Sequence, residues 1–360
     1  MSIDENLLAK QREAIKGRAI TKKVSPMELQ PSSIAHTHPS PILENKKIGC
    51  LLMAGGQATR LGIDAPKGVI PVSPLKHKSL LQIIAEKIAA FSKCYKTAVP
   101  LAIMTSRDSK GEIIDHFEKN DFFGLKEVSF FAQPSLPLLD MNGELFFDET
   151  GEPLQGPDGN GSLFSTCLPA VEQWANIDAL SIIQVDNPLI DPFHPAVLSP
   201  IFSGHDFVAA AIARADLTEP VGLFVEQDGR TAVVEYSEID PNKLDCKWAN
   251  ISFFAATPDF AKKAALHKLP LHTAKKNFRG NEVWKAEYFI FDHLPFAENP
   301  AVIPIDRSLF FAPIKNKKGK DSIESAQRAM IERDRARLQE LGRATEEAVE
   351  LPQGAYYTNN

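Results

Sequence analysis

Four glycines, one arginine and one lysine fall within fourteen residues, Gly55 to Gly68, in the stretch LLMAGGQATRLGIDAPKG (Leu51–Gly68). Gly55 and Gly56 follow an apolar run directly. Glycine admits positive φ and lets backbone N–H groups approach an anion with no Cβ in the way. Arg60 and Lys67 add two cations, and Pro66 stiffens the backbone just before the lysine. Glycines and cations at these offsets suit the binding of a polyphosphate. Two familiar phosphate loops are excluded: no Gly-Lys-Ser/Thr triplet follows Gly55, and adjacent glycines do not make G-x-G-x-x-G. The alternative is a glycine turn with surface cations.

Such a loop must sit at the carboxyl end of a strand, and the surrounding sequence supplies one. Ile48–Ala54 reads as a strand, Ser79–Lys93 as a helix, Val99–Ser106 as a strand, and Ser109–Asn120 as a helix. Glu127–Gln133 is a strand, Asn160–Trp174 a helix and Ala179–Asp186 a strand. Apolar strands separated by helix-length segments predict an α/β fold. Its sheet is mixed but mostly parallel, with helices on both faces. A hairpin is predicted at Leu138–Asp148 around Asn142-Gly143. Beyond Asp186 the pattern becomes strand-rich: Asp206–Ala213, then Val221–Glu238 with a turn at Asp228-Gly229, then Ala249–Thr257. An N-terminal helix is expected at Glu5–Ile15. A charged C-terminal helix is expected within Asp321–Glu350, with early packing through Ile323, Ala326, Met330 and Ile331 and a solvated charged face after them. The expected organisation is residues 1–47 as helix and extended lead-in, 48–316 as catalytic domain, and 317–360 as charged helix and tail. His36, Thr37 and His38 in the lead-in are expected to be a solvated loop, with no acidic partner nearby.

The 360 residues carry a net charge of −6, which argues against a general nucleic-acid binder but not against small phosphorylated ligands. Cys50, Cys94, Cys167 and Cys246 are widely spaced with no C-x-x-C pair, so buried thiols are expected rather than zinc ligands. No signal-like or long apolar segment is seen. The reading is a cytoplasmic protein without a membrane anchor.

The opening stretch closely resembles the signature of the eukaryotic-type UDP-sugar pyrophosphorylase family, and within it most the N-acetylglucosamine branch. The resemblance continues in order through IMTS (Ile103–Ser106), FFAQPSLP (Phe130–Pro137), GPDGNGSLF (Gly156–Phe164), VDNPL (Val185–Leu189), EPVGLF (Glu219–Phe224), VVEYSEI (Val233–Ile239) and FAPIKN (Phe311–Asn316). It implies a nucleotide-diphospho-sugar transferase fold. It implies synthesis of a UDP-sugar and pyrophosphate from UTP and a sugar 1-phosphate, with Mg²⁺. Carried over by residue, it places Gly55, Gly56, Arg60 and Lys67 at the triphosphate, and Gln133, Gly159 and Asn160 at the nucleotide base. Asp186 falls at the metal, Gly222, Glu235 and Asn250 on the sugar, and Lys315 at the phosphates. The chemistry is consistent with these roles. A sugar phosphate oxygen is already an anionic nucleophile, so the site needs charge neutralisation and alignment rather than a general base. One aspartate plus phosphate oxygens suffices for Mg²⁺, and a glutamine amide offers uracil both donor and acceptor.

Three departures from the family pattern are visible. Pro134 stands where a donor is usual, so the uracil loop is open to a different course. Lys247-Trp248-Ala249 precede Asn250 where smaller residues are usual, which leaves Trp248 either to stack on a sugar acetyl group or to fill its space. The match to Lys315 is followed by a short segment, implying a compact form. The favoured substrate is N-acetylglucosamine 1-phosphate, with glucose or galactose 1-phosphate as runner-up. A non-catalytic UDP-sugar sensor would not need all of Arg60, Lys67, Asp186 and Lys315. A glycosyltransferase of similar fold would usually carry Asp-x-Asp where Asp186-Asn187-Pro188 stands. The sequence gives no oligomeric state.

Overall fold

The computed structural model describes residues 4–17, 24–30, 37–239, 245–278 and 280–358. His36 lies outside them. The elements alternate as the sequence predicts. The first half runs α1 (Glu5–Gly17), β1 (Ser25–Pro26), β2 (Ile48–Met53), α2 (Leu80–Tyr95), β3 (Leu101–Thr105), α3 (Arg107–Lys119), β4 (Val128–Ala132), β5 (Ser135–Pro137), β6 (Gln155–Pro157), α4 (Leu163–Gln173) and β7 (Ala179–Gln184). The second half runs α5 (Pro195–Phe202), β8 (Phe207–Ala213), β9 (Gly222–Gln227), β10 (Arg230–Glu235), β11 (Trp248–Ala256), α6 (Pro258–Ala264), β12 (His272–Phe278), β13 (Asn281–Glu287), β14 (Pro300–Pro304), α7 (Arg307–Phe310) and α8 (Ile323–Glu340).

Ten strands among the described residues form one sheet. Its first half is parallel, in the order β4-β3-β2-β7. The chain moves outward from β2 through β3 to β4, then returns to place β7 on the other side of β2. The loops after β2 and β7 therefore diverge, leaving the crevice that open α/β sheets use for ligands. The second half hangs on β11. Its last residues, Phe254–Ala256, pair antiparallel with β7 on one edge and β8 on the other. Its first residues, Trp248–Asn250, pair with β8, and Ala249 also pairs with Leu223 of β9. A register irregularity separates Asn250 from Phe254, with Ser252 at φ 55°. The sheet thus forks beside the carboxyl end of β7.

Helices cover both faces, as expected. Ile48, Cys50 and Leu52 of β2 join a core with α2, α3 and α5, while Leu51 and Met53 join one with α4 and α6. A strand with an apolar helix layer on each side cannot alternate polar and apolar residues, and IGCLLM is accordingly buried throughout. Each fully buried Leu, Ile or Phe in these layers contributes about 1.5–3 kcal/mol. Ser79 caps α2, and Ser106 with Ser109 forms a reciprocal cap on α3. The β12–β13 hairpin stands outside the main sheet and is not among the predicted elements. It is tied down by paired backbone hydrogen bonds between Leu139 and Trp284 of 3.1 and 2.7 Å.

Two expectations are corrected here. His38 is buried, not solvated, and Asp191 lies 2.9 Å from its Nε2. That acidic partner is distant in sequence, so local inspection of His36-Thr37-His38 does not find it. The charged face of α8 is only partly solvated: Asp334 is buried, Arg333 is nearly so, and the following segment folds back through Tyr356 and Tyr357. Tyr357 donates to Asp191 at 2.6 Å and stacks on His38 at 4.5 Å.

Candidate active site

The loop after β2 folds back on itself. Lys67 donates its backbone N–H to Gly56 O at 3.0 Å, and Ala58 donates to Ala65 O at 3.0 Å. This closure delivers the Lys67 ammonium to within 3.2 Å of Asp186 Oδ2, across the switch point. Asp186 is buried, and Gln184 reaches the same oxygen at 3.4 Å. Its backbone carbonyl accepts from Ile314 N at 2.9 Å, so Lys315 is held beside it. Asn187 explains the lack of a second aspartate. Its amide donates to Phe310 O at 2.7 Å and accepts from Ala312 N at 3.1 Å. A carboxylate could not make that donation.

A cleft of about 1070 Å³ opens over this end of the sheet. Gly55, Gly56, Gln133, Gly159 and Asn160 line one part of it; Gly222, Glu235, Asn250 and Lys315 line another. Arg60, Lys67 and Asp186 are not in its wall. Gln184 does line it and reaches Asp186, which pairs with Lys67, whereas Arg60 is exposed on the short turn Thr59–Leu61.

The nucleotide-side residues are held tightly. Gln133 Nε2 donates to Gly159 O at 2.6 Å and to Asp158 Oδ1 at 3.2 Å, leaving its Oε1 toward Gly55. A Cβ on residue 55 would lie 2.3 Å from that oxygen. Gly159 has φ +93°, and a Cβ there would meet Tyr288 O at 2.3 Å, so both conformation and space require glycine. Asn160 Oδ1 accepts from Ile290 N at 2.9 Å. Burial pushes the Asp158 carboxyl up to about 6, against hydrogen bonds from Ser162 and Gln133. Pro134 leaves no donor unmade; its carbonyl accepts the Asp158 N–H at 3.1 Å.

On the other side, Gly222 and Glu235 are cross-strand partners, and Asn250 approaches Gly222 from the bulged strand. Burial raises the Glu235 carboxyl and Glu238 adds to it, while His272 and Lys315 oppose. His272 sits between Glu238 at 3.0 Å and Asp292 at 2.8 Å; these carboxylates overcome its burial and lift it to about 9.

The Trp248 expectation is corrected. Trp248 lies outside the cleft wall and packs on the core beneath α4 and α6, and Lys247 extends into solvent 3.6 Å from Glu28. Phe289 and Phe291, stacked at 4.9 Å, line the cleft instead. They and the lysines Lys276 and Lys285 come from the hairpin and the segment after it, which sequence reasoning passed over. In the structure Ala274, Lys276 and Phe278 are half-buried while Lys275 and Asn277 are exposed, an alternation that the polar run Lys275-Lys276-Asn277 does not show in the sequence. No group of three or more His, Cys, Asp or Glu side chains able to hold a metal occurs among the described residues.

The family model for UTP–glucose-1-phosphate uridylyltransferases matches residues 4–319. The chain belongs to that family. Uridylyltransferase-family relatives include the Schizosaccharomyces pombe protein named "Probable UDP-N-acetylglucosamine pyrophosphorylase", 32% identical over 86% of this chain and 76% of its own length. UDP-N-acetylglucosamine diphosphorylase 1 of Arabidopsis thaliana is 32% identical over 78% of this chain, which spans 63% of that relative. The family fold is seen in the solved UDP-N-acetylglucosamine pyrophosphorylase of Trypanosoma brucei, with a TM-score of 0.77 at 24% identity, covering 94% of this chain and 77% of that one. No described helix is long and apolar enough to cross a membrane.

Proposed function

We propose that this chain is a uridylyltransferase that joins UTP to N-acetylglucosamine 1-phosphate, releasing pyrophosphate. The observation that carries the reading is the convergence at one switch point of the glycine loop, the Lys67–Asp186 pair and Lys315. The names of the relatives supply the sugar. A phosphate oxygen of the sugar 1-phosphate attacks the α-phosphorus of UTP. The bond from that phosphorus to the α–β bridging oxygen breaks, and the electron pair leaves with pyrophosphate. Lys67 and Lys315 place fixed positive charge beside the reacting phosphates, where charge shifts toward the leaving group. The Gln133 Oε1, with its amide nitrogen already bonded, is the acceptor offered to a uracil N–H.

Mg²⁺ belongs to the same proposal. Asp186 is a lone carboxylate, and its partner Lys67 leaves the second oxygen free of any hydrogen bond among the described residues. That suits an ion held by one carboxylate, water and phosphate oxygens. Bound there, it would neutralise phosphate charge. Phe289 and Phe291 give an acetyl methyl an apolar wall, which glucose would not use. The four free cysteines, three of them buried, favour a reducing cytoplasmic compartment.

The test is pyrophosphate release from UTP and Mg²⁺ across a panel of sugar 1-phosphates. The expected order in kcat/KM is N-acetylglucosamine 1-phosphate above glucose 1-phosphate. Reaction with glucose 1-phosphate alone would reassign the sugar. Release with none of them, alongside intact UDP-sugar binding, would make the chain a sensor.

A further inference from the structure

Lys276, on β12, lines the same cleft as Gly55 and Gly56 of the glycine loop. Its side chain is half-buried, and among the described residues its ammonium has no hydrogen-bond or ion-pair partner. The neighbouring lysines are accounted for differently. Lys275 points outward and lies 5.3 Å from the Trp284 ring, and Lys285 pairs with Glu287 at 2.8 Å. A cation removed from water without a partner is costly, and the cost is recovered when an anion arrives. We propose that Lys276 is a phosphate-binding residue of this cleft, contributing its ammonium to substrate phosphate oxygens alongside the glycine loop of Gly55 and Gly56. Burial lowers the Lys276 ammonium below the ordinary lysine value, and Arg60 and Lys285 lower it further, while Glu287 and Glu235 oppose. The proposal rests on the uridylyltransferase reading for the identity of its phosphates, which belong either to UTP or to the sugar 1-phosphate.

Binding and turnover separate the two readings. Calorimetry with UTP and with uridine compares wild type with Lys276→Met, Lys276→Arg and the outward control Lys275→Met. Uridine carries no phosphate and reports the integrity of the pocket. A loss of fivefold or more in UTP affinity, with uridine unchanged and Lys276→Arg restoring most of it, assigns Lys276 to the nucleotide phosphates. UTP affinity unchanged with a tenfold rise in KM for the sugar 1-phosphate assigns it to that phosphate. Both support the proposal. Effects below twofold on UTP affinity and on the KM for the sugar phosphate would overturn it, as would equal losses for uridine and UTP or the same losses in Lys275→Met. The calorimetric ratio needs no turnover, so a failure of the sugar-nucleotide assay leaves this arm readable.

Discussion

Lys67 and Asp186 are 119 residues apart in the chain and 3.2 Å apart across the switch point. Both side chains are mostly buried, so each also holds the other's charge. Lys67→Ala is expected to lower kcat about 10²-fold or more, because its charge lies where the transition state gains it. Arg60→Ala should cost less, since Arg60 lies in solvent. Asp186→Asn keeps a hydrogen-bond acceptor for Lys67 but is a poor Mg²⁺ ligand. It should therefore abolish most Mg²⁺-dependent turnover while moving Tm by only a few degrees; a metal titration with parallel melts checks both. His272 makes a pH prediction. Its folded value of about 9 lies above its ordinary 6.5, so its contribution is fully present below 6.5 and is lost as pH rises to 9. The linkage is on the order of 3 kcal/mol. Wild-type Tm should fall between pH 6.5 and 9, and His272→Gln should show a flatter profile in that window. The glycine loop was legible from its glycines and cations directly after an apolar strand, whereas Gly159, Asp186 and Lys315 were reached only through the family resemblance of the strings that hold them. The cleft positions of Lys276 and Phe291 were not legible, because nothing in a lysine on a short strand or a phenylalanine in the turn after one says that the segment overlies a cleft.

At the scale of elements, the parallel strands were readable because burial on both faces leaves uninterrupted apolar runs. The β12–β13 hairpin was not, since HTAKKNF and NEVWKAE carry five charged side chains and pack on loops rather than in the main sheet. The C-terminal segment was misread for the reverse reason: α8 looks solvated, yet its charges close a buried network. Arg333 Nη1 donates to Leu189 O at 3.2 Å, and Tyr356 donates to Asp334. The Lys87 ammonium donates to Pro188 O and Ile190 O at 2.6 and 2.5 Å. These contacts grip the loop that begins at Asp186. Tyr357→Phe removes a hydrogen bond to the Asp191 carboxylate, whose Oδ1 keeps only the Phe193 N–H among the described residues, at 3.0 Å, and Arg333→Met removes a charge from beside buried Asp334. Each should cost about 1–3 kcal/mol and lower Tm by several degrees. Thermal melts of the two variants measure this, and unchanged melting would make the tail an ornament on the fold.

At the scale of the molecule, the sheet joins a parallel half to a mixed half through β11. A ligand that touches both halves should stabilise them together. UTP at 100 times its Kd is expected to add about 2.7 kcal/mol and to raise one common Tm. A melt that splits, with only its first step responding to UTP, would show the halves to be energetically separate. The same long-range closure bears on how the protein comes into being. The glycine loop and β2 are synthesised early, β7 well after them, and the groups that fix the Asp186 loop, Ile314, Arg333 and Tyr357, later still. Contacts of such high sequence separation form slowly, because loop entropy is lost before any contact repays it. On the ribosome, β2, β3 and β4 can pair while their cleft has only one wall. Such an intermediate exposes apolar strand faces and an unclosed phosphate loop, so newly made chains are most vulnerable to aggregation before residues 314–357 emerge.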